Sequence, residues 1–227
     1  MKTASKILIG LFAFMLVSVL AFSISLRASL TDEHDLANKL PQTVYTQSDF
    51  NTISAKGKHV SVEVKQGREF QVVAIGLEEE LKEQVFVVQK DSALELSVKS
   101  DSLFTRRVHF VVTMPDLVAV EVVDDAMLNL NKMHLDSVSV VVKNWGRVDG
   151  NENVIKWLGL ENQNARVQID YSDISQADIL LKGEGRTSIS LERVKGKVMD
   201  KSRLDLYKET KSMNLEVAEN AYVRKYD

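Results

Sequence analysis

Four arginines recur in the second half of the chain: Arg147, Arg166, Arg186 and Arg203, with steps in residue number of 19, 20 and 17. Each directly follows a small residue: Gly146, Ala165, Gly185 and Ser202. A guanidinium is a permanently charged planar fork that holds carboxylate, sulfate or phosphate at two points. Four of them on one ridge would suit an anionic partner such as an acidic glycan. The same residues also suit a solvated charged face, with Asp149, Glu184 and Asp205 as neutralising neighbours of small energetic weight. Trp145 precedes Gly146, where it could pack partly buried at a turn or stack on a sugar ring. The second tryptophan, Trp157, precedes Leu158 and is expected in the core or plugging a turn.

Other chemistry finds less support. His34, His59, His109 and His134 are the only histidines, and none is spaced as a metal pair. The chain has no cysteine, which removes thiol catalysis, disulfides and a lipoprotein anchor. Asp124-Asp125 could begin an acidic cluster, but the column through Trp145, Asn164, Glu184, Lys201 and Asn220 gathers no further pair of carboxylates. The 182–186 segment, Lys-Gly-Glu-Gly-Arg, lacks the pattern of a phosphate loop. No catalytic residue, metal or cofactor is expected. A formal charge of −3 points to neither nucleic acid nor an anionic membrane surface.

A repeat must position the arginines. Ala126, Gly146, Ala165, Gly185, Ser202 and Ala221 follow one another at intervals of 20, 19, 20, 17 and 19 in residue number. Two positions after five of them stands Leu128, Val148, Val167, Leu204 or Val223; Gly185 departs, with Thr187. Each unit holds two short alternating apolar segments with a polar break. A period near twenty built from strands predicts a solenoid whose coils bury their apolar faces only by stacking. Period-two alternation sets the small anchors and the Leu/Val set inward and the arginines outward. The anchors are expected to be steric, so a larger residue at Gly146 or Gly185 should strain the stack. A meander sandwich with turn glycines is the competing architecture, although sandwich turn signals recur about twice as often. The short interval from Gly185 to Ser202 marks the shortest coil.

Residues 50–113 also read as strands. The 59–65 segment alternates, Gln66-Gly67 breaks it, and residues 70–75 follow, which predicts a hairpin. Residues 76–84 read as a short helix, with Leu77 and Leu81 on one face. Residues 85–89, 94–98 and 108–113 are further strands, and Pro115 ends the last.

At the amino terminus Lys2 and Lys6 precede an uncharged run over 7–26, closed by Arg27. About 20 residues at about 1.5 Å each match a bilayer core. The basic flank before the run and the acidic 31–35 segment after it orient the rest of the chain outward. The run is long for a cleaved signal peptide and fits an uncleaved anchor better, with Val19-Leu20-Ala21 as a usable cleavage site. About 180 residues follow the anchor and a polar tether, enough for one core. The expected organisation is a signal anchor or signal peptide at 1–29, a tether at 30–48 and one folded domain at 49–227.

The landmarks resemble a known family. Phe50-Asn51-Thr52-Ile53, the 62–67 segment Val-Glu-Val-Lys-Gln-Gly, Leu94-Glu95-Leu96-Ser97 and the 111–117 segment ending Met114-Pro115-Asp116-Leu117 are similar to the auto-transporter adhesin head, or GIN, domain of bacterial envelope proteins. The resemblance covers residues 49–227. Where that family often has Ser-Gly-Ser-Gly-like turns, this chain keeps the anchor with bulkier, more polar neighbours. The resemblance implies a short right-handed parallel β-helix, an exported surface or envelope role, and no catalytic residues.

The expected molecule is therefore an all-β solenoid with an N-terminal hairpin and short-helix cap, behind a single membrane-spanning or signal helix. Its expected role is a membrane-tethered binding or scaffolding module of the cell envelope with a glycan or protein partner. Two other readings stand beside it. One is a carbohydrate-active enzyme on the same fold. The other is a domain that binds through the edge of its last coil, where the charged 224–227 end tends to protect that edge.

Overall fold

The computed structural model describes residues 15, 18–19, 40–45, 47–99, 104–207 and 210–226. The apolar run at 7–26 lies outside them apart from Met15, Ser18 and Val19. Among the described residues no helix is long and apolar enough to cross a membrane. Residues 1–41 and 42–227 form separate units, and the second is the folded domain.

Among its described residues nineteen strands form. The first seven are β1 (Gln42–Tyr45), β2 (Thr52–Lys56), β3 (Val60–Gln66), β4 (Gln71–Ile75), β5 (Val85–Lys90), β6 (Ala93–Val98) and β7 (Val108–Met114). The repeat supplies β8 (Ala119–Val123), β9 (Met127–Asn131), β10 (His134–Lys143), β11 (Arg147–Asn151), β12 (Val154–Gln163) and β13 (Arg166–Asp170). It continues with β14 (Asp173–Lys182), β15 (Arg186–Ser190), β16 (Arg193–Val198), β17 (Arg203–Tyr207), β18 (Ser212–Val217) and β19 (Tyr222–Tyr226).

The strands build two sheets and form a solenoid of about five turns. Sheet A runs β1-β4-β7-β3-β9-β11-β13-β15-β17-β19, and sheet B runs β18-β16-β14-β12-β10-β8-β2-β6-β5. Through the repeat every pairing is parallel and in register, so equivalent residues stack. Parallel pairing excludes the meander sandwich, whose neighbours would be antiparallel.

The inward columns form the core. Val120, Val140, Leu160 and Ile179 stack on sheet B. Leu128, Val148, Val167, Thr187 and Leu204 stack on sheet A. All nine are buried. Each apolar one contributes about 1.5–3 kcal/mol on leaving water.

Corners between sheet B and sheet A place residues in the left-handed region: Asp124, Asp125, Asn144, Trp145, Asn164, Gly183 and Asp200, with φ from 51° to 70°. Asp, Asn and Gly tolerate that region best, which accounts for the polar break in each repeat. Backbone bonds continue the stack through the corner, as from Trp145 N to Asn164 O at 2.8 Å. The anchors do not share the left-handed conformation. A Cβ on Gly146 would stand 2.7 Å from the Val122 carbonyl oxygen, and one on Gly185 would stand 2.6 Å from Asn162 Oδ1. A side chain at either glycine would thus crowd atoms of the neighbouring coil.

The N-terminal part departs from the expected hairpin. β3 and β4 do not pair. β3 lies between β7 and β9, parallel to both, and β4 pairs antiparallel with β7 and β1. The β2–β3 coil thus has β6–β7 on one side of it and β8–β9 on the other. The apolar alternation of residues 60–75 is real, but its second strand pairs with β1 and with β7, not with β3. The antiparallel hairpin of this region is β5–β6, around Asp91 at φ 52°. The segment read as a helix forms a 3₁₀ helix over Glu79–Gln84. Gln42–Tyr45, inside the segment read as tether, form β1.

Candidate functional site

The register brings the four arginines into one column. Arg147 pairs with Arg166, Arg166 with Arg186 and Arg186 with Arg203, between Met127 at one end and Tyr222 at the other. Each opens its strand on the outer face of sheet A, where parallel neighbours sit about 4.8 Å apart.

Their compensation is uneven. Arg147 Nε donates to Asp149 Oδ2 at 2.7 Å. Arg203 Nε donates to both oxygens of Asp205 at 3.0 and 2.8 Å, and Arg186 Nη2 reaches Asp205 Oδ2 at 3.2 Å. The Asp205 side chain is 0% exposed, so one buried carboxylate serves two rungs. Its hydrogen bond is the main reason the Arg203 guanidinium holds its proton more tightly than usual. Arg166 differs: among the described residues no carboxylate lies within ion-pair distance. Its Nη2 donates to Gln168 Oε1 at 2.9 Å, and Gln168 Nε2 donates to Asp170 Oδ2 at 2.5 Å. Glu184, expected as a neutralising neighbour, instead pairs with Lys201 at 3.2 Å.

The tryptophans sit apart from these contacts. Trp145 is 72% exposed in its corner, so it does not pack into the coil. Trp157 is not a core residue. It lies on the outer face of sheet B at 36% exposure, its ring over Gly159, where a Cβ would meet Trp157 Cη2 at 2.7 Å.

Beside the arginines lies a notch. Ser188 pairs with Gln168, an offset of 20 in residue number, whereas Arg193 pairs with Gln176, an offset of 17. The corner between β15 and β16 is shorter by that difference. Among the described residues, the β14–β16 register begins at Gln176, so Tyr171 and Ser172, in the corner before, have no strand partner on that side. The resulting cavity is about 690 Å³. Arg166 and Arg186 line one end, Ser188 and Ser190 the middle, and Tyr171 and Tyr207 the other end. The short interval from Gly185 to Ser202 was its one legible sign in the sequence.

A second polar group emerges on β3 and β7. His109 stands 3.5 Å from Ser61 Oγ through Nδ1 and 3.5 Å from Glu63 Oε2 through Nε2. Glu63 also pairs with Lys65 at 3.4 Å. The order resembles a nucleophile, base and acid, but the spacing is beyond catalytic hydrogen-bond reach. Asp124 and Asp125 have structural partners in Asn144 and Arg107. Among the described residues no cluster of three or more metal-ligating side chains forms.

Comparison with known proteins agrees with this geometry. No curated protein matches the chain. A putative adhesin from Bacteroides fragilis is similar over 83% of this chain and 97% of its own, at 15% identity and a TM-score of 0.58. Putative adhesins from Parabacteroides merdae and Parabacteroides distasonis align over the same shares, at 16% and 12% identity with TM-scores of 0.48 and 0.47. The first likeness shows a shared fold. The family model described as "putative auto-transporter adhesin, head GIN domain" matches residues 49–224, and the chain belongs to that family.

Proposed function

We propose that this protein is an exported, membrane-tethered and non-enzymatic binding module of the cell envelope, adhesin-like in use, whose recognition surface is the outer face of sheet A. The partner class is an anionic glycan. The observation that supports this most is the arginine column itself. Like charges placed directly opposite on neighbouring strands destabilise a sheet. The other sheet of the same solenoid pairs opposite charges at registered positions: Asp178 with Lys195 at 3.2 Å and Lys197 with Glu216 at 2.6 Å. An outer face that sets two aspartates against four stacked arginines, and leaves Arg166 without an ion pair among the described residues, has a use beyond folding. Membership in an adhesin head family supports binding over catalysis, and the basic-flanked apolar run at 7–26 supports export and tethering.

The test is replacement of Arg147, Arg166 and Arg186 together by alanine in the full chain. Binding to immobilised acidic polysaccharide and to envelope extract should fall at least about tenfold, and wild-type binding should weaken with salt. Unchanged binding by the folded triple variant would remove the recognition role. Protease digestion of intact and permeabilised cells reports the side of the membrane; a chain cut only after permeabilisation of the cytoplasmic membrane would overturn export.

A further inference from the structure

We propose that the notch between the β13–β14 corner and β17 is a subsite for an oligosaccharide that alternates acidic and neutral units, with the acidic unit at Arg166 and Arg186 and a neutral ring at Tyr171 and Tyr207. This deepens the reading of the sheet A face as a binding surface and rests on it.

Four observations carry it. The first is the cavity of about 690 Å³, within the range of small-molecule sites. It exists only because the β15–β16 corner is shorter than the one before. Ser188 and Ser190 in its middle keep it open where the coil before carries the larger Gln168 and Asp170.

The second is Tyr171. It is 86% exposed and occupies a left-handed corner position with φ 48°. The equivalent positions in the two preceding coils are Lys132 at φ 57° and Glu152 at φ 55°, which pair with each other at 3.7 Å. The corner therefore does not require an aromatic ring. An aromatic held in a conformation costly for its type, at the mouth of a cavity, is a natural platform for the apolar face of a sugar. Across the notch, Tyr207 stacks on Tyr226 with centroids 4.8 Å apart and planes 8° from parallel, which fixes its ring.

The third is the placement of charge. Arg166 makes one side-chain hydrogen bond among the described residues, to the neutral amide of Gln168. Its guanidinium thus offers forked donors to an incoming carboxylate. The opposite end carries the carboxylate of Asp170. It suits sugar hydroxyls and disfavours a second anion.

The fourth is length. The arginine and Asp170 columns lie four positions apart along the strand, about 13 Å. That exceeds one sugar ring and matches an acidic unit followed by a neutral one. A polymer charged on every unit would set an anion against Asp170.

The probe is a hyaluronan tetrasaccharide, which alternates uronate and N-acetylhexosamine, titrated into the full chain by calorimetry. A galacturonate tetramer and chitotetraose are the all-acidic and all-neutral comparators. The tetrasaccharide should bind at least about tenfold more tightly than either comparator. Tyr171→Asn keeps the left-handed corner but removes the ring, and Ser188→Trp fills the notch. Each should weaken binding about tenfold, as should Arg166→Ala, while Lys156→Ala, on the outer face of sheet B, should not. Circular dichroism checks that each variant folds. Wild-type-like binding by folded Tyr171→Asn and Ser188→Trp, or no preference for the alternating oligosaccharide, would overturn the subsite. Equal loss in Arg147→Ala and Arg166→Ala, with the notch variants unaffected, would overturn the subsite and leave the arginine face standing. Indifference of every variant would overturn both.

Discussion

Asn162 Nδ2 donates to Thr187 Oγ1 at 3.0 Å inside the solenoid, linking β12 of one sheet to β15 of the other. Both residues are 0% exposed. Asn162 also donates to the Arg186 carbonyl at 3.1 Å and accepts from Ala165 N at 3.1 Å. Thr187 is the one break in the column of Leu and Val, and it stands where a buried amide needs an oxygen. Thr187→Val should cost about 1–3 kcal/mol, because it strands a donor away from water. Asn162→Leu should cost more, since it also orphans the Ala165 amide and overfills the space beside Gly185. Urea denaturation of the folded unit measures both.

The anchors make a steric prediction. Gly146→Ala brings a methyl 2.7 Å from the Val122 carbonyl oxygen and 3.0 Å from that of Lys143. Backbone atoms on both sides cannot yield cheaply, so stability should fall by about 1–3 kcal/mol. Gly196→Ala should cost at least as much. Its φ is 136°, and an added Cβ would overlap the Ile179 carbonyl. A thermal melt of either variant close to wild type would contradict the packing described.

Along the arginine column, loss of Arg166 and loss of Asp205 should have opposite weight. Arg166 is exposed and bonded only to Gln168 among the described residues, so Arg166→Ala should stay within about 0.5 kcal/mol of wild type. Asp205→Asn should lower the melting temperature clearly, because two guanidinium groups then face each other without their shared carboxylate. Added salt should recover part of that loss by screening. A variant equally stable at low and high salt would show that the column carries no repulsion.

Tyr45 on β1 offers a test near the opposite end of sheet A. Its hydroxyl is buried without a hydrogen-bond partner among the described residues. Burial pushes the phenol above its usual range, with the Lys82 cation pulling the other way. A raised acid pKa means the folded form holds its proton longer. The stabilisation is complete below about pH 10, the unfolded value, and is lost as pH rises through the folded value. Tyr45→Phe removes an unsatisfied polar atom and should be neutral or stabilising by up to about 1 kcal/mol. It should also flatten the alkaline limb of the stability profile. Denaturation at about pH 8 and about pH 10.5, either side of the ordinary phenol value, reads both effects.

Sequence alone determined the coil, its inward set and the arginine column. Parallel in-register stacking copies each position onto the next coil, so a fixed spacing in Ala126 through Ala221 is already a spatial column. Alternation then decides which side faces water, and both signals are local. The part of the folded unit before the repeat carries no such period. There β3 pairs with β7 and β9 across long separations, and only the whole stack decides that β7 separates β3 from β4. The notch is decided at the same level. The short interval between Gly185 and Ser202 told which coil is short, but not that the loss falls in the corner beyond Ser190 instead of in a strand. That placement leaves Tyr171 uncovered opposite Tyr207. It depends on which residues of β14 and β16 pair, a long-range choice settled by the packing of Ile174, Ala177 and Val194 in the core. Likewise, the sequence offered Asp149, Glu184 and Asp205 as neighbours of the column, but only the tertiary structure chose Asp205 for two arginines and left Arg166 to an amide.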